Sequence, residues 1–112
     1  MIYAQRDILL FSMVFSDASG VKKRPVMVVY DNGDDDLLVA PVTSQPARTH
    51  YDMRLDEWQK AGLRLPSILR LEKLATVAKS TVLRRLGRVS SSDWQRLQPR
   101  LEELFATIVG QA

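Results

Sequence analysis

Residues 22–42, KKRPVMVVYDNGDDDLLVAPV, contain the local signals that decide the fold. Two apolar runs rich in strand-forming residues are separated by an acidic segment that holds Asn32-Gly33. An Asn-Gly pair between two such runs is the strongest short signal for a β-hairpin. We therefore predict a strand over Pro25–Tyr30 and a second, antiparallel strand over Leu37–Val42. The proline would stand at the first residue of its strand, where a missing N–H group is tolerated.

Short apolar segments of high β-propensity recur on both sides of this hairpin. On the N-terminal side, Ile8–Val14 predicts a strand that ends in a turn rich in serine, aspartate and glycine. On the C-terminal side, Tyr51–Leu55 is a short alternating run, and the predicted strands are Pro66–Leu71, Leu74–Ala78 and Leu83–Val89. Short strands with a turn signal every eight to twelve residues or so favour a mainly β (α+β) fold, a small and partly open barrel.

Two helices accompany the predicted strands. A short helix between strands is predicted over Asp56–Leu63, with Asp56 as its N-cap and Gly62 as its C-terminal stop. A C-terminal helix begins near Asp93, and Pro99 should kink it or divide it in two. Its apolar face consists of Trp94, Leu97, Leu101, Leu104, Phe105 and Ile108.

Composition limits the classes of protein that this chain can represent. Its 112 residues fit a single domain over residues 1–112. The absence of cysteine excludes disulfides and thiolate metal sites. The net charge of +3 permits a nucleic-acid or acidic-protein partner without requiring one. The N-terminus has no leader pattern, and its apolar stretch is shorter than the roughly 20 residues of a membrane span, so we expect a cytoplasmic protein without membrane association.

The acidic residues and the single histidine do not form a recognisable metal motif. Asp31 and Asp34–Asp36 lack the ligand spacing of a calcium loop, and a solvated hairpin tip is the better interpretation. His50 has no second histidine or cysteine to complete a transition-metal site. We therefore expect neither a metal nor a cofactor.

Three polar segments are candidates for function. The cations of residues 22–24 adjoin a buried strand, an arrangement that is costly unless an anion meets them. On a strand, Arg70 and Glu72 would share a face while Leu71 points inward, and the two charges would either orient each other or form a surface ion pair worth at most about 1 kcal/mol. Residues 43–45, Thr-Ser-Gln, would either contact a ligand at the sheet edge or bond the local backbone in a turn.

The chain resembles the PemK/MazF family of toxin endoribonucleases in three segments, which in order are GVKKRPVMVVYDN, DDLLVAPVTSQ and SILRLEKLATVAKSTVLRRLGRVSSSDWQRL. The most specific parts are the Arg-Pro that opens the second strand and the Thr-Ser-Gln that ends the third. Arg6 stands where the family usually has a glycine, a departure expected to affect a turn. The resemblance implies an SH3-like barrel with helices, a homodimer and metal-independent cleavage of single-stranded RNA. It also implies an antitoxin partner with an acidic, largely disordered tail.

The resemblance also implies roles for particular residues. Arg24 matches the family's catalytic arginine, and Thr43 matches its catalytic threonine. In some members a carboxylate two residues after an arginine takes part, and Arg70 and Glu72 match that pattern, with Glu where some relatives have Asp. RNA can be cut by its own 2′-hydroxyl, so the protein needs to supply a base, positive charge and a proton. In this hypothesis Arg24 stabilises the phosphorane, Thr43 fixes a phosphate oxygen, and Glu72, oriented by Arg70, is the candidate base.

Further RNA contacts are expected from two loops. Lys22 and Lys23 would either attract phosphates or form a plain solvated turn. Residues 15–23 and 44–51 would stack and read unpaired bases. The other candidate RNA-binding residues in these loops are Phe15, Asp17, Ser44, Gln45 and Arg48.

Two rival functions are compatible with the same fold. One is a toxin that poisons a protein target such as gyrase, whose activity would depend on the C-terminal helix. The other is a catalytically inert adaptor or RNA-binding barrel, which would bind RNA in a salt-sensitive way without cutting it.

Overall fold

The structure is a computed structural model that describes residues 2–14 and 20–110. It consists of an antiparallel sheet of seven strands and a C-terminal helix. The strands are β1 (Asp7–Val14), β2 (Val21–Tyr30), β3 (Asp36–Thr43), β4 (Asp52–Arg54), β5 (Ile68–Arg70), β6 (Ala75–Ala78) and β7 (Val82–Arg88), and the helix is α1 (Ser91–Gly110). Short 3₁₀ helices at Leu71–Lys73 and Lys79–Thr81 follow β5 and β6. Within the described ranges, no helix is both long and apolar enough to cross a membrane.

The strands lie in the order β4-β5-β3-β2-β1-β7, and β6 pairs with β3 beside this path. Across the described residues, β4 and β7 at the two ends of the sheet do not pair with each other, so the sheet is open. The mainly β, partly open architecture is confirmed. The hairpin is also confirmed, since β2 and β3 are antiparallel with Met27 opposite Ala40. Gly33 in the connecting turn has a φ of +88°, which glycine adopts without steric cost.

Strand β2 begins earlier than predicted. It starts at Val21, where it pairs with Val14 of β1, so Pro25 is not its first residue. Pairing of β2 with β3 begins only at Val26, opposite Pro41. At Pro25 one side of the strand is therefore still unpaired, and a residue without an N–H group breaks no ladder hydrogen bond on that side. The three cations before Pro25 consequently lie on a strand rather than in a turn.

The predicted helix over Asp56–Leu63 is wrong. Residues 56–62 form consecutive hydrogen-bonded turns instead, and Gly62 has a φ of +85° at their end. The carboxylate of Asp93 in α1 accepts the backbone N–H groups of Asp56 at 3.1 Å and Glu57 at 2.8 Å. So short a segment gains too few internal hydrogen bonds to make a helix stable by itself, and the external acceptor stabilises the turn conformation.

Helix α1 is a single helix of 20 residues, so of the two alternatives expected for Pro99, a kink or a division, the division is wrong. Pro99 is exposed, while Leu97 and Leu101 on either side of it are buried against the sheet. Proline cannot donate one of the backbone hydrogen bonds of the helix. The packing of Leu97 and Leu101 against the sheet stabilises the helix despite that loss. The predicted apolar face is buried only in part, because Phe105 is 41% and Ile108 58% exposed.

Two apolar clusters occupy opposite faces of the sheet. Successive strand residues point to opposite sides, so neighbours such as Ile8 and Leu9 belong to different clusters. The larger cluster packs the sheet against α1 and the turn at 56–62, and its buried members include Ile8, Met27, Ala40, Val42, Leu69, Leu97 and Leu101. The smaller cluster comprises Leu9, Phe11, Val26, Val28, Leu37 and Val39.

Arg6 occupies a backbone position that favours glycine. Its φ is +79°, in the left-handed region that side chains other than glycine rarely adopt. The backbone is held there because Arg6 N–H donates to Val28 O at 2.9 Å and Arg6 O accepts from Val89 N–H at 2.9 Å. Its buried Nε has no hydrogen-bond partner among the described residues. Arg6 lies in the turn that leads into β1.

Two carboxylates connect neighbouring elements and have lowered pKa values. The backbone N–H of Tyr3, 2.7 Å from Asp31, and then the ammonium of Lys79, 2.9 Å away, lower the pKa of Asp31 from 3.8 to about 2. The ammonium of Lys60, 2.6 Å away, is the largest cause that lowers the pKa of Glu57 from 4.5 to about 2. Both groups therefore stabilise the fold as anions.

Candidate functional site

The side chains of Arg24 and Thr43 meet where the β2–β3 ladder ends. Val26 of β2 lies opposite Pro41 of β3, and the two functional residues stand two positions further along each strand. Residues two apart share a face of a strand, and cross-strand partners face the same side. Arg24 and Thr43 therefore point to the same side of the sheet, and both line an open cleft of about 900 Å³.

This cleft is strongly cationic. Among the described residues its lining contains no carboxylate, and its charged members are Lys23, Arg24, Arg64, Arg84 and Arg85. An apolar surface lies among these charges, and it consists of Leu10, Pro25, Val42, Leu63, Leu65 and Leu86. Positive charge gathered in a concave surface concentrates anionic ligands. The arrangement suits a polyanion with apolar groups, such as a nucleic-acid strand with unpaired bases.

The hydroxyl of Thr43 has a donor available for a ligand. Its Oγ1 accepts the backbone N–H of Gln45 at 3.1 Å, the turn bond that the sequence allowed as an alternative to function. A threonine hydroxyl can accept and donate at the same time. Within the described part of the chain its hydrogen has no acceptor, so the local turn orients the hydroxyl and leaves it free to donate into the cleft.

The guanidinium of Arg24 lies at the same end of the cleft. Its side chain is exposed, and Nη1 donates to the backbone oxygen of Lys23 at 3.4 Å. A planar fork of donors at this place matches the geometry of two phosphate oxygens.

Arg70 and Glu72 do not share a strand face, contrary to the prediction. β5 ends at Arg70, opposite Asp52 of the three-residue strand β4, and Glu72 lies in the 3₁₀ helix that follows. Leu71 between them is fully buried, as predicted. Among the described residues no hydrogen bond or ion pair joins the two charges, and neither lines the cleft. Arg70 nevertheless lies two residues from Ile68, the partner of Thr43, and so faces the same side of the sheet as the threonine.

The other candidate RNA contacts divide into three groups. Lys23, Ser44 and Gln45 line the cleft. Lys22 and Arg48 are exposed but do not line it, and the backbone N–H of Arg48 donates to Asp52 at 2.8 Å. Two further candidates, Phe15 and Asp17, lie outside the described residues.

The loop after β3 is attached to the C-terminal helix at its far end. Nε2 of His50 lies 3.0 Å from Oε2 of Glu103, and Arg100 donates to the backbone oxygen of His50. His50 is therefore a structural loop residue. Across the ranges 2–14 and 20–110, no group of three or more histidine, aspartate or glutamate side chains is placed to hold a metal ion.

Three arginines of the cleft were missed from the sequence. Arg64 follows the turn at 56–62, and Arg84 and Arg85 lie on β7. The Arg-Arg pair inside a predicted strand was an available signal, because adjacent strand residues point to opposite faces. Arg64 had no comparable signal, since its place depends on the tertiary packing of the turn.

The sequence matches the model of one protein family over most of its length. The sequence model of the PemK-like, MazF-like toxin of type II toxin-antitoxin systems matches residues 4–105. A comparison with curated proteins finds no match.

Several solved structures have the same fold. The Mycobacterium tuberculosis toxin MazF-mt6 is 21% identical with a TM-score of 0.72, over 89% of this chain and 96% of that one. A mycobacterial endoribonuclease in complex with its cognate antitoxin is 14% identical with a TM-score of 0.71, over 99% and 98%. The MazE-MazF structure (Form-III) from Deinococcus radiodurans is 13% identical with a TM-score of 0.72, over 95% and 98%. At these identities the similarity establishes the fold.

Proposed function

We propose that this chain, which belongs to the PemK-like, MazF-like toxin family of type II toxin-antitoxin systems, is an endoribonuclease that cuts single-stranded RNA at specific sequences without a metal ion. One observation carries the proposal. Arg24 and Thr43, from two different strands, converge in a cleft that contains five cations and, among the described residues, no carboxylate. Its proposed substrate is messenger RNA in the cytoplasm.

The proposed reaction needs no nucleophile from the protein. The 2′-oxygen attacks the adjacent phosphorus, the bond from phosphorus to the 5′-oxygen breaks, and the products are a 2′,3′-cyclic phosphate and a 5′-hydroxyl. The proton lost by the 2′-hydroxyl passes to a base on the protein, and the departing 5′-oxygen takes its proton from solvent water. Arg24 stabilises the charge that develops on the phosphorane, and the Thr43 hydroxyl donates to one of its oxygens.

The base in this reaction is proposed to be Glu72. It is exposed and lies two residues beyond Arg70, on the segment that follows the strand paired with Thr43. An ordinary carboxylate is a weak base for a hydroxyl, so positioning of the substrate supplies much of the rate. Glu72 lies outside the cleft lining, so the replacement of its carboxylate by an amide tests its role directly.

Cleavage of RNA in excess EDTA tests the proposal. Purified protein is incubated with a mixed-sequence, unstructured RNA pool, alongside the variants Arg24→Ala, Thr43→Val and Arg88→Ala. We expect fragments that end in 2′,3′-cyclic phosphate from the unmodified protein, and a loss of about 100-fold or more in rate for Arg24→Ala, the usual effect of removing a transition-state charge donor. Arg88 has the same charge at the end of β7 but lies outside the cleft lining, so its replacement should leave the rate unchanged.

The outcomes distinguish the ribonuclease activity from the roles assigned to single residues. An intact pool with every protein would overturn the ribonuclease proposal. Cleavage that survives in Arg24→Ala would overturn the role of the arginine while leaving the activity in place. Glu72→Gln, assayed across pH, tests the base, because loss of a general base removes the acidic limb of the pH–rate profile.

Two partners complete the proposed function. We infer an antitoxin whose acidic, partly disordered tail occupies the cationic cleft, since opposite charge on the two surfaces favours association. We also infer a homodimer, because α1 ends in exposed apolar side chains, with Phe105 41%, Ile108 58% and Val109 82% exposed. Sedimentation of the free protein and of Ile108→Asp tests the second inference.

The exposed end of α1 also favours one rival function, a toxin that acts on a protein target through this helix. A growth assay in cells distinguishes the two functions. Inhibition that is lost with Ile108→Asp but retained with Arg24→Ala would support the rival function and exclude RNA cleavage as its cause.

A further inference from the structure

Arg64 and Arg84 are cleft cations that the proposed chemistry does not use. Both side chains are exposed, and within the described part of the chain neither has a hydrogen bond or an ion pair. Arg85, beside them, is different because its Nε lies 3.0 Å from Oδ1 of Asp7. Two charges thus face the cleft with their donors available for a ligand.

Arg84 lies on β7 and lines the cleft on the face of the sheet that carries Leu10 and Pro25. Arg84 lies opposite Leu10 of β1, which lies opposite Pro25 of β2, so Arg84 is two strands, roughly 10 Å, from Pro25. The β1–β7 register shifts on both sides of the Arg84-Arg85 pair. Such bulges reorient side chains and occur frequently beside functional sites. Leu10 and Pro25, both half-buried, line the cleft beside Arg84. Arg24, which precedes Pro25 and points to the other face of the strand, lines the same cleft at the end of the β2–β3 ladder.

A contact between two glycines positions Arg64. A Cβ on Gly62 would lie 2.1 Å from the backbone oxygen of Leu86, and a Cβ on Gly87 would lie 2.3 Å from that of Ala61. The turn that precedes Arg64 therefore packs its backbone directly on the backbone of β7. Only glycine at both places permits this approach. Arg64 is thereby fixed next to the strand that carries Arg84.

We propose that Arg64 and Arg84 form a second phosphate-binding subsite, which holds the RNA backbone one nucleotide or more away from the scissile phosphate at Arg24. The inference rests on the proposed function for its ligand class. A base packs on the apolar surface of Leu10 and Pro25, and the phosphates on its two sides meet Arg24 and the Arg64–Arg84 pair. Alternating cationic and apolar contacts are how single-stranded nucleic acid is held without base-specific hydrogen bonds.

Salt-dependent binding of an uncleavable RNA tests the subsite. The probe is a short, fluorescently labelled 2′-O-methyl RNA of mixed sequence, which has no 2′-hydroxyl to react, and its anisotropy gives the affinity over a series of KCl concentrations. Each phosphate contact to a single strand contributes about 0.7 to the slope of log affinity against log salt concentration. We expect Arg64→Ala and Arg84→Ala each to reduce the slope by about that amount and to weaken binding several-fold at low salt.

Two controls make the result specific. Arg88→Ala removes the same charge from β7 outside the cleft and should leave the slope unchanged. Arg84→Lys keeps the charge and should restore most of the slope. Unchanged slopes in Arg64→Ala and Arg84→Ala, an equal reduction in Arg88→Ala, or no binding by the unmodified protein at low salt would each overturn the subsite.

The cleavage assay and the salt titration distinguish an error in the proposed subsite from an error in the proposed ribonuclease activity. Cleavage of the natural RNA pool with unchanged slopes leaves the enzyme and removes the subsite. Reduced slopes with an uncut pool leave an RNA-binding protein that has the subsite and lacks the activity.

Discussion

Replacement of Gly87 by alanine tests the backbone contact that shapes the cleft. The added Cβ would lie 2.3 Å from the oxygen and 2.5 Å from the carbonyl carbon of Ala61, and 2.9 Å from the nitrogen of Gly62. Ordinary contacts of a Cβ begin at 3.4 Å, so the turn must retreat by about 1 Å. All three atoms belong to the backbone and cannot rotate away, and Ala61 is itself buried. The substitution therefore displaces the turn at 56–62 and, with it, Arg64.

The expected loss of stability is large for a single methyl group. Overpacking a buried site costs typically 1–3 kcal/mol, and we expect about 3 kcal/mol here because the colliding atoms are rigid. For a domain near this size each kcal/mol lowers the unfolding temperature by roughly 4 °C, so the expected decrease is about 12 °C. Thermal unfolding followed by circular dichroism measures it at one fixed protein concentration. In the salt titration with 2′-O-methyl RNA, the slope should decrease as it does for Arg64→Ala.

Gly110→Ala provides a matched control, because nothing lies within 4 Å of the Cβ that it adds. Its unfolding temperature should stay within about 2 °C of the unmodified protein, as is usual for surface substitutions. If Gly87→Ala unfolds at the same temperature as Gly110→Ala, the reasoning from the glycine contact is wrong.

Three further predictions concern the polar contacts. Asp93→Ala leaves the backbone N–H groups of Asp56 and Glu57 without their acceptor and should lower the free energy of unfolding by about 3 kcal/mol in urea titration. Asp56→Ala, which removes an exposed carboxylate of the same cluster, should lower it by less than about 0.5 kcal/mol, and equal losses would contradict the capping role. The folded pKa values of Asp31 and Glu57, about 2, lie below their ordinary values of 3.8 and 4.5, so the stabilisation is complete above about pH 4.5 and is lost as the pH falls toward 2. Asp31→Asn and Glu57→Gln should each flatten the decrease of the unfolding temperature across this range, and an unchanged acid profile in both would refute the assignment. Arg6→Gly relieves a positive φ and should raise the free energy of unfolding by about 1 kcal/mol, whereas a loss of stability would mean that the contacts of the arginine outweigh the strain.

The sheet was predictable because its signals are local. The Asn-Gly turn and the apolar runs on either side of it identify β2 and β3 without knowledge of the rest of the chain. The prediction over residues 56–63 is wrong because its outcome depends on Asp93, a side chain from α1 that satisfies the first N–H groups of the turn. Pro99 does not divide α1 because burial of the flanking leucines outweighs a local preference. Tertiary contacts thus changed the local outcome in both helical predictions.

The candidate site was predictable only for the residues that the resemblance supplied. Arg24 and Thr43 lie on strands whose register brings them to one face. The hairpin signal predicts that the strands pair, but it does not predict the register shift between Val28 and Tyr30 that sets which residues are opposite each other. Arg64 cannot be placed in the same way, because its position depends on the contact of Gly62 with Gly87. Either glycine taken alone in the sequence only indicates a turn or a bulge.

The arginines of α1 are paired with carboxylates, and this difference from the cleft bears on how an antitoxin would inhibit the protein. Both arginines of α1 have carboxylate partners, Arg96 with Asp93 at 2.7 Å and Arg100 with Glu103 at 3.6 Å. Arg64 and Arg84 of the cleft have no carboxylate partner among the described residues. Such charges repel neighbouring cations and destabilise the free fold, and a bound polyanion relieves that repulsion. An RNA strand and an acidic antitoxin tail would relieve it equally well, since both supply negative charge along a flexible chain. In the proposed function the two ligands therefore compete for the same charges, and the tail can inhibit by occupying the cleft, with no change in the shape of the protein.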